Sequence, residues 1–318
     1  MFLFYGVEDH QSLTKNLKLK QSHLEKINNL RIIMTQQQLS KHRHISFTAH
    51  YTGYIWYQMG ISHPLLATTK GKILACIAQP VETWAEKYVG GSMRSTLKIR
   101  HQLLDEHLTQ LIQQYPDLQI LEIAAGLSPR GWWFRQHYPQ IDYRELDLPD
   151  MAQVKQAALK QMQAQSPDVL SADLFTADFK RAFDVFDTAR PLVIISEGLI
   201  NYFDKTLLQQ LLHSIVNYGQ EFKALHYLTD LYPEPVKNKL AKFIWNSSKL
   251  LKVISRSAFS FHFTRPSEVF DFFQQAGFTQ VSVIQPSSSS QEKSTADADE
   301  HLGDLVWMIH ARRDAAQQ

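Results

Sequence analysis

From residue 119 onward the chain repeats one unit: a short apolar run, a sharp turn, then a longer amphipathic stretch. QILEIAAG, IDYRELDLP, DVLSADL, LVIISEGL and ALHYLTDL are five such runs, with helical spacing over residues 149–163 and 204–218 between them. Strands that alternate with helices bury both sheet faces by winding a helix over each crossover. The pattern therefore predicts an α/β fold with a doubly wound, mostly parallel sheet. In 149–163, Pro149 suits the opening turn, and Met151, Val154, Ala158 and Met162 form an apolar stripe. The rhythm breaks after Asp230, where Pro233 and Pro235 precede a helical stretch through Trp245. A helix over 266–276 then stops at Gly277. Strands near 280–285 and 304–310 follow, joined by the polar, low-complexity PSSSSQEKSTADADE. With no helix between them, they are expected to close the sheet as an antiparallel pair.

The first 115 residues read as mostly helical, with clear spacing over 21–48 and 93–115. In the second stretch Leu97, Leu104, Leu108, Leu111 and Ile112 recur on one face and Pro116 ends it. The aromatic segment YTGYIWYQMG reads as a buried packing segment. The chain thus divides into an N-terminal helical extension, 1–115, and a sheet domain, 116–318, with an insertion at about 230–263. The formal net charge is +2, which disfavours a dedicated nucleic-acid binder. The one cysteine, Cys76, excludes an intrachain disulfide and multi-cysteine metal sites. No apolar run is long enough to span a membrane, and the opening MFLFYG is too short for a secretory signal. A cytoplasmic protein without membrane or nucleic-acid partners is expected.

The strand ends carry the chemistry. The first run ends in the loop around Gly126, the second in Asp147, the third in Asp173 and the fourth in Glu197. Doubly wound folds bind ligands at the carboxyl ends of their strands, where a glycine admits a ligand close to the backbone. Asp147 stands 21 positions after Gly126, a spacing that suits an acid accepting hydrogen bonds from a ribose diol. The loop lacks the lysine of a P-loop. Ser128 replaces the second glycine of a dinucleotide fingerprint, and Pro129-Arg130 breaks a nucleophile elbow. An adenosine ligand poor in phosphate, such as S-adenosylmethionine, fits what remains.

The pieces SFTAHYTGYIWY, RHQLLDEHL, AAGLSPRG, ELDLPDMAQVKQ, SADLF and ISEGLINYF, in this order, resemble the leucine carboxyl methyltransferase family. That family lies among the class I S-adenosylmethionine-dependent O-methyltransferases and includes bacterial polyketide-type members. The resemblance implies a Rossmann-like, seven-stranded sheet, with the N-terminal extension and the inserted segment covering the cofactor. It implies that Arg100 pairs with the cofactor's methionine carboxylate, where a planar guanidinium can act bidentately. Gly126 matches the loop glycine, Asp147 the ribose acid, Asp173 and Leu174 the adenine contacts, and Glu197 the acid near the amino end. Tyr202 matches a tyrosine near the reacting centre, and Tyr51 joins it as an expected substrate contact. The family loop usually reads G-A-G-L-D-T-R. Here Ala124 and Ser128 replace its first glycine and its aspartate, Arg130 is kept, and Ala124 is expected to tolerate a strand conformation.

The expected activity is methyl transfer to a carboxylate or hydroxyl of a small-molecule metabolite. The alternatives are a protein C-terminal carboxylate as acceptor, or a non-catalytic S-adenosylmethionine-binding protein. A carboxylate acceptor needs no general base; for a hydroxyl, His226, Asp230 and Tyr202 are candidates. His42, His44 and His50 match no zinc spacing, and no metal is expected. Trp132 and Trp133 read as helix-start packing. Tyr57, Tyr232 and Trp245 join Tyr51 and Trp56 as aromatic candidates for the pocket wall.

Overall fold

The computed structural model describes residues 48–89, 93–164, 166–234, 260–286 and 306–314. The architecture below is that of the unit spanning 45–318. The expected helix over 21–47, His42, His44, Trp245 and the serine-rich loop lie outside the described residues.

Three helices come first: α1 over 48–58, α2 (Thr69–Val89) and α3 (Met93–Gln114), with a 3-10 turn at Pro64–Leu66 between α1 and α2. Then follow β1 (Gln119–Ile123), α4 (Arg130–His137), β2 (Asp142–Asp147), α5 (Pro149–Gln161) and β3 (Leu170–Ser171). Next come α6 (Asp178–Arg181), β4 (Leu192–Ile195), α7 (Lys205–Gly219), β5 (Ala224–Leu231), α8 (Pro266–Gln275), β6 (Gln280–Ile284) and β7 (Trp307–Asp314).

The seven strands form one sheet in the order β3-β2-β1-β4-β5-β7-β6. The first five are parallel, and β7 runs antiparallel between β5 and β6. This is the expected doubly wound arrangement closed by an antiparallel pair. Every residue of β1, β4 and β5 is buried, as central strands covered on both faces must be. The two-residue alternation of the strands divides the core. Leu121, Ile123, Leu192 and Ile194 face α7 and α8 through Leu208, Leu211, Leu212, Val269 and Phe273. Ile120, Val193 and Ile195 face α3 and α4 through Leu104, Leu108, Leu111 and Phe134. Local signals fix the helix starts: Pro149 and Pro266 occupy first-turn positions, and Asp204 caps α7 by accepting from the Leu207 N–H at 2.9 Å.

Several elements depart from the expected outline. The aromatic segment, read as buried packing, forms most of α1, in which Ile55 and Trp56 are buried but Tyr57 is exposed. The pattern did not reveal α2, because Pro80 stands inside it and reads as a stop. Strand β3 is only two residues long, so Asp173 follows the strand rather than ending it. On α5 the buried face is Met151, Ala152, Lys155, Ala158 and Leu159, whereas Val154 is exposed. Trp133 is exposed and stacks on His137. Among the described residues no helix is long and apolar enough to cross a membrane.

Candidate functional site at the strand ends

The chain leaves β1 for β2 and β3 on one side, then crosses to β4 on the other. The carboxyl ends of β1 and β4 therefore flank the switch point where such sheets leave a crevice. The sheet alone brings the loop around Gly126, Asp147 and Glu197 to this edge.

The loop after β1 turns through two left-handed residues, Ala124 (φ 51°) and Gly126 (φ 49°). The expectation of a strand conformation at Ala124 is therefore corrected. The sheet must be left so abruptly that this position takes a conformation natural to glycine. The Asp147 carboxylate clamps the loop, accepting from the Gly126 N–H at 2.6 Å and the Leu148 N–H at 2.7 Å. Burial pushes the Asp147 carboxyl up to about 6, against the lowering effect of those two N–H bonds and of Lys155. Lys155 is itself buried. It donates to the Ala125 carbonyl at 3.1 Å and pairs with Glu145 at 2.5 Å. Glu145 also pairs with Arg135 at 2.7 Å; burial raises its pKa, but the two cations bring it below the usual range.

A second cluster joins α3 to the ends of β1, β4 and β5. Arg130, fully buried at the start of α4, reaches Asp105 at 2.5 Å, Glu122 at 3.0 Å and Glu197 at 2.7 Å. Arg100 donates from Nε to Glu197 Oε1 at 2.9 Å and from a terminal nitrogen to the Tyr232 hydroxyl at 3.1 Å. His101 Nδ1 lies 2.8 Å from Glu197 Oε2, and its Nε2 lies 3.3 Å from Asp105. Burial acts to raise the Glu197 pKa, yet His101, Arg100 and Arg130 together hold it well below the carboxylate range. Asp230, at the end of β5, accepts from the Gly198 N–H at 2.6 Å. Its other oxygen lies 3.6 Å from Arg100 and has no hydrogen bond among the described residues. Four carboxylates, Asp105, Glu122, Glu197 and Asp230, thus surround two guanidiniums, an excess of negative charge before His101 is counted.

Of the expected site residues, Arg100, Gly126, Asp147 and Glu197 converge on this edge. Asp173 sits just past β3, partly buried, its carboxylate accepting from the Phe175 N–H at 3.0 Å, and Leu174 is buried beside it. Tyr202 lies in a 3-10 turn after β4 and hydrogen-bonds Thr48 of α1; burial raises its pKa. Tyr51 packs with Ile55, Ala75 and Leu97. His226 points into the core from early in β5, against Tyr115 and His310, and is thereby separated from the strand ends. His50 hydrogen-bonds Thr68 at 2.9 Å. Sequence reasoning missed His101, Asp105, Glu122 and Lys155. One signal was available: His101 and Asp105 interrupt the apolar line from Leu97 to Leu108 at successive helical turns.

Helix α1 crosses the loop at contact distance. A Cβ on Gly126 would lie 3.1 Å from that of Ala49, and one on Gly53 would lie 2.7 Å from that of Leu127. A shallow cleft of about 390 Å³ lies elsewhere, between α5 and the edge strand β3, lined by Gln153, Gln156, Lys160, Asp168 and Ser171 among others.

Residues 63–216 match the family model for leucine carboxyl methyltransferase. The tetracenomycin polyketide synthesis O-methyltransferase TcmP of Streptomyces glaucescens is 23% identical over 120 residues, which is 37% of this chain and 42% of that protein. The chain therefore spans less than half the length of that curated relative. Among solved structures, an O-methyltransferase family protein from Burkholderia thailandensis is 13% identical over 73% of this chain and 64% of its own, with a TM-score of 0.44. A SAM-dependent methyltransferase from Archaeoglobus fulgidus is 13% identical over 73% of this chain and 98% of its own, with a TM-score of 0.43.

Proposed function

Residues 63–216 belong to the leucine carboxyl methyltransferase family, and from that premise we propose that the chain is an S-adenosylmethionine-dependent O-methyltransferase. Its acceptor is a carboxylate or hydroxyl of a small-molecule metabolite, in keeping with the polyketide relative. The observation that carries the reading is the switch-point edge itself. It gathers a left-handed glycine loop, a ribose-type acid, an arginine and an excess of buried carboxylate.

These residues fit the cofactor. Each Asp147 oxygen accepts one backbone N–H and keeps a second lone pair for a ribose hydroxyl. We assign Asp173 and Leu174, which follow β3 one strand further out, to the adenine. The negative excess around Arg100 and Arg130 suits a ligand of net positive charge. Gly126 and Gly198, both left-handed, leave backbone where side chains would stand.

The bound cofactor supplies an electrophilic methyl group on a sulfonium. The chain's part is to hold the acceptor oxygen in line and to exclude water. Helix α1, packed on the glycine loop, serves as a cover, and Tyr51 and Tyr202 are assigned to the acceptor side. Burial raises the Tyr202 pKa, which disfavours the phenolate a general base would need, and its hydroxyl is assigned to orienting the acceptor. His226 faces away, in the core. An acceptor that arrives ionised, a carboxylate, requires neither as a base and is the favoured choice.

The test is calorimetric titration with S-adenosylhomocysteine, followed by a screen of acids and phenols with labelled cofactor. Binding to the wild type, weakened about tenfold or more in Asp147→Ala and Arg100→Ala, supports the reading. No binding, with both variants folded, overturns it. Binding without transfer to any acceptor leaves a non-catalytic cofactor protein. Transfer confined to a protein C-terminus removes the small-molecule half.

A further inference from the structure

Lys155 is 1% exposed on the inward face of α5, and a buried ammonium is tolerated only where it is paired. Glu145 gives it one partner at 2.5 Å, but Glu145 already holds Arg135 at 2.7 Å and does not require a second cation. The other partner is the Ala125 carbonyl at 3.1 Å, in the loop after β1. The N–H of the same peptide unit belongs to Gly126, and it donates to Asp147 Oδ2 at 2.6 Å. The 125–126 peptide is therefore held between an ammonium on its oxygen and a carboxylate on its N–H. A peptide dipole is negative at oxygen and positive at hydrogen, so both charges favour the orientation seen. The reverse orientation would turn the oxygen toward Asp147 and the N–H toward Lys155, and both contacts would become repulsive. Gly126 is left-handed at φ 49°, and glycine populates positive and negative φ about equally, so the local chain does not itself fix this plane. The Ser128 N–H also donates to the Ala125 oxygen at 3.0 Å, so both lone pairs of that carbonyl are used within the protein.

We propose that Lys155 is a positioning residue that, together with Asp147, locks the 125–126 peptide in the orientation the ligand loop requires. Its action on a cofactor rests on the methyltransferase reading, whereas the lock is a property of the chain alone. The lock has an acid limit set by its anionic half. Burial pushes the Asp147 carboxyl up to about 6, with Glu122 on β1 acting the same way, while the Gly126 and Leu148 N–H groups and Lys155 on α5 act to lower it. Glu145, two positions earlier on β2, is itself paired with Lys155 and Arg135. Protonation of Asp147 releases the N–H end of the peptide, and loss of the Lys155 charge brings that protonation to higher pH.

The experiment is isotope-edited NMR of the unliganded chain against pH. Alanine labelled at its carbonyl carbon and glycine labelled at its nitrogen select Ala-Gly peptide units, of which the chain has two, at 125–126 and 276–277. In wild type the Ala125 and Gly126 signals are expected to titrate together with a midpoint near pH 6. Those of the 276–277 unit, whose N–H donates to the Gln274 carbonyl, are expected to stay unchanged. Lys155→Met removes the charge at similar length. It is expected to raise the midpoint by about one pH unit or more, to shift the Ala125 carbonyl signal, and to weaken S-adenosylhomocysteine binding about tenfold at about pH 7.5, measured by calorimetry. Lys155→Gln, which keeps a neutral donor, is expected to raise the midpoint likewise and serves if the methionine variant does not fold. Arg135→Gln takes a cation from the same Glu145 without touching the loop, and is expected to leave the midpoint where it is. A purely structural ion-pair cluster would instead respond alike to the Lys155 and Arg135 changes. No titration of the 125–126 unit near pH 6 in wild type, an unmoved midpoint in the Lys155 variants, or an equal movement in Arg135→Gln overturns the proposal. A wild type that shows the titration but binds no S-adenosylhomocysteine overturns the methyltransferase reading instead, so the two failures are distinguishable.

Discussion

Ala124 holds a backbone conformation that L residues other than glycine rarely adopt, at the one point where β1 must give way to the ligand loop. The left-handed region costs a residue with a Cβ roughly 1–2 kcal/mol. Ala124→Gly is therefore expected to stabilise the protein by roughly 0.5–1 kcal/mol, after the larger unfolded-state entropy of glycine is deducted. A rise in Tm of about 1 °C, with cofactor affinity retained, is the expected readout, and a fall in Tm would show that the methyl group's packing outweighs the strain. Strand and turn signals could not reveal this, because the alanine reads as one more apolar residue in QILEIAAG. Lys155 shows the same limit. It occupies the buried face of α5 because Glu145 and the Ala125 carbonyl meet its ammonium there, and that pairing exists only once β2 and α5 are packed. By contrast Gly126, Asp147 and Glu197 were legible, because the sheet topology alone forces successive strand ends onto one edge, whereas Arg100, on α3, was legible only through the family resemblance.

Between elements, the contact that matters most to the site is α1 on the glycine loop. Gly53 lies where α1 comes closest, with a Cβ position 2.7 Å from Leu127 Cβ and 3.1 Å from the Leu66 carbonyl. In an open helix, glycine to alanine would stabilise by about 1 kcal/mol. Here backbone and a β-carbon cannot retreat, so Gly53→Ala is expected to reverse that sign and cost about 1–3 kcal/mol. It should also weaken S-adenosylhomocysteine binding by lifting α1 from the loop, measurable in parallel by chemical denaturation and calorimetry. Unchanged affinity in a destabilised variant would separate the helix from the site and leave it a purely structural brace. The parallel half and the antiparallel closure of the sheet were legible in the sequence, since alternation and a missing crossover helix fix them. The helices before the sheet were less so. Pro80 inside α2 and the dense aromatic residues of α1 obscure the helical period, and the two helices pack with α3 through Ile55, Ala75 and Leu97, contacts that only the folded chain brings together.

For the molecule as a whole, the distribution of charge sets how stability responds to acid. His226 Nδ1 and His310 Nε2 lie 2.9 Å apart across β5 and β7, with Tyr115 against His226. One ring must donate and the other accept, so the bond does not survive protonation of both. Burial, followed by the neighbouring His310 and Arg312 charges, lowers His226 to about 3. Burial, followed by His107 and Arg312, lowers His310 to about 4. In the unfolded chain both titrate near 6.5. Below that value the unfolded state binds more protons than the folded one, so stability rises with pH and falls as acid is added. The contribution is complete above pH ~6.5 and is lost progressively as pH falls toward the folded values. Glu197, held low, adds to the acid loss, whereas Asp147 and Asp230, whose carboxyls are held high, oppose it. The His226→Gln/His310→Gln double variant removes only the histidine share. Urea denaturation is expected to show wild type less stable at pH 5 than at pH 7.5 by an amount at least about 2 kcal/mol greater than the variant shows. Parallel pH profiles for the two proteins would place the acid sensitivity in the carboxylate clusters of the ligand site and remove it from the β5–β7 pairing.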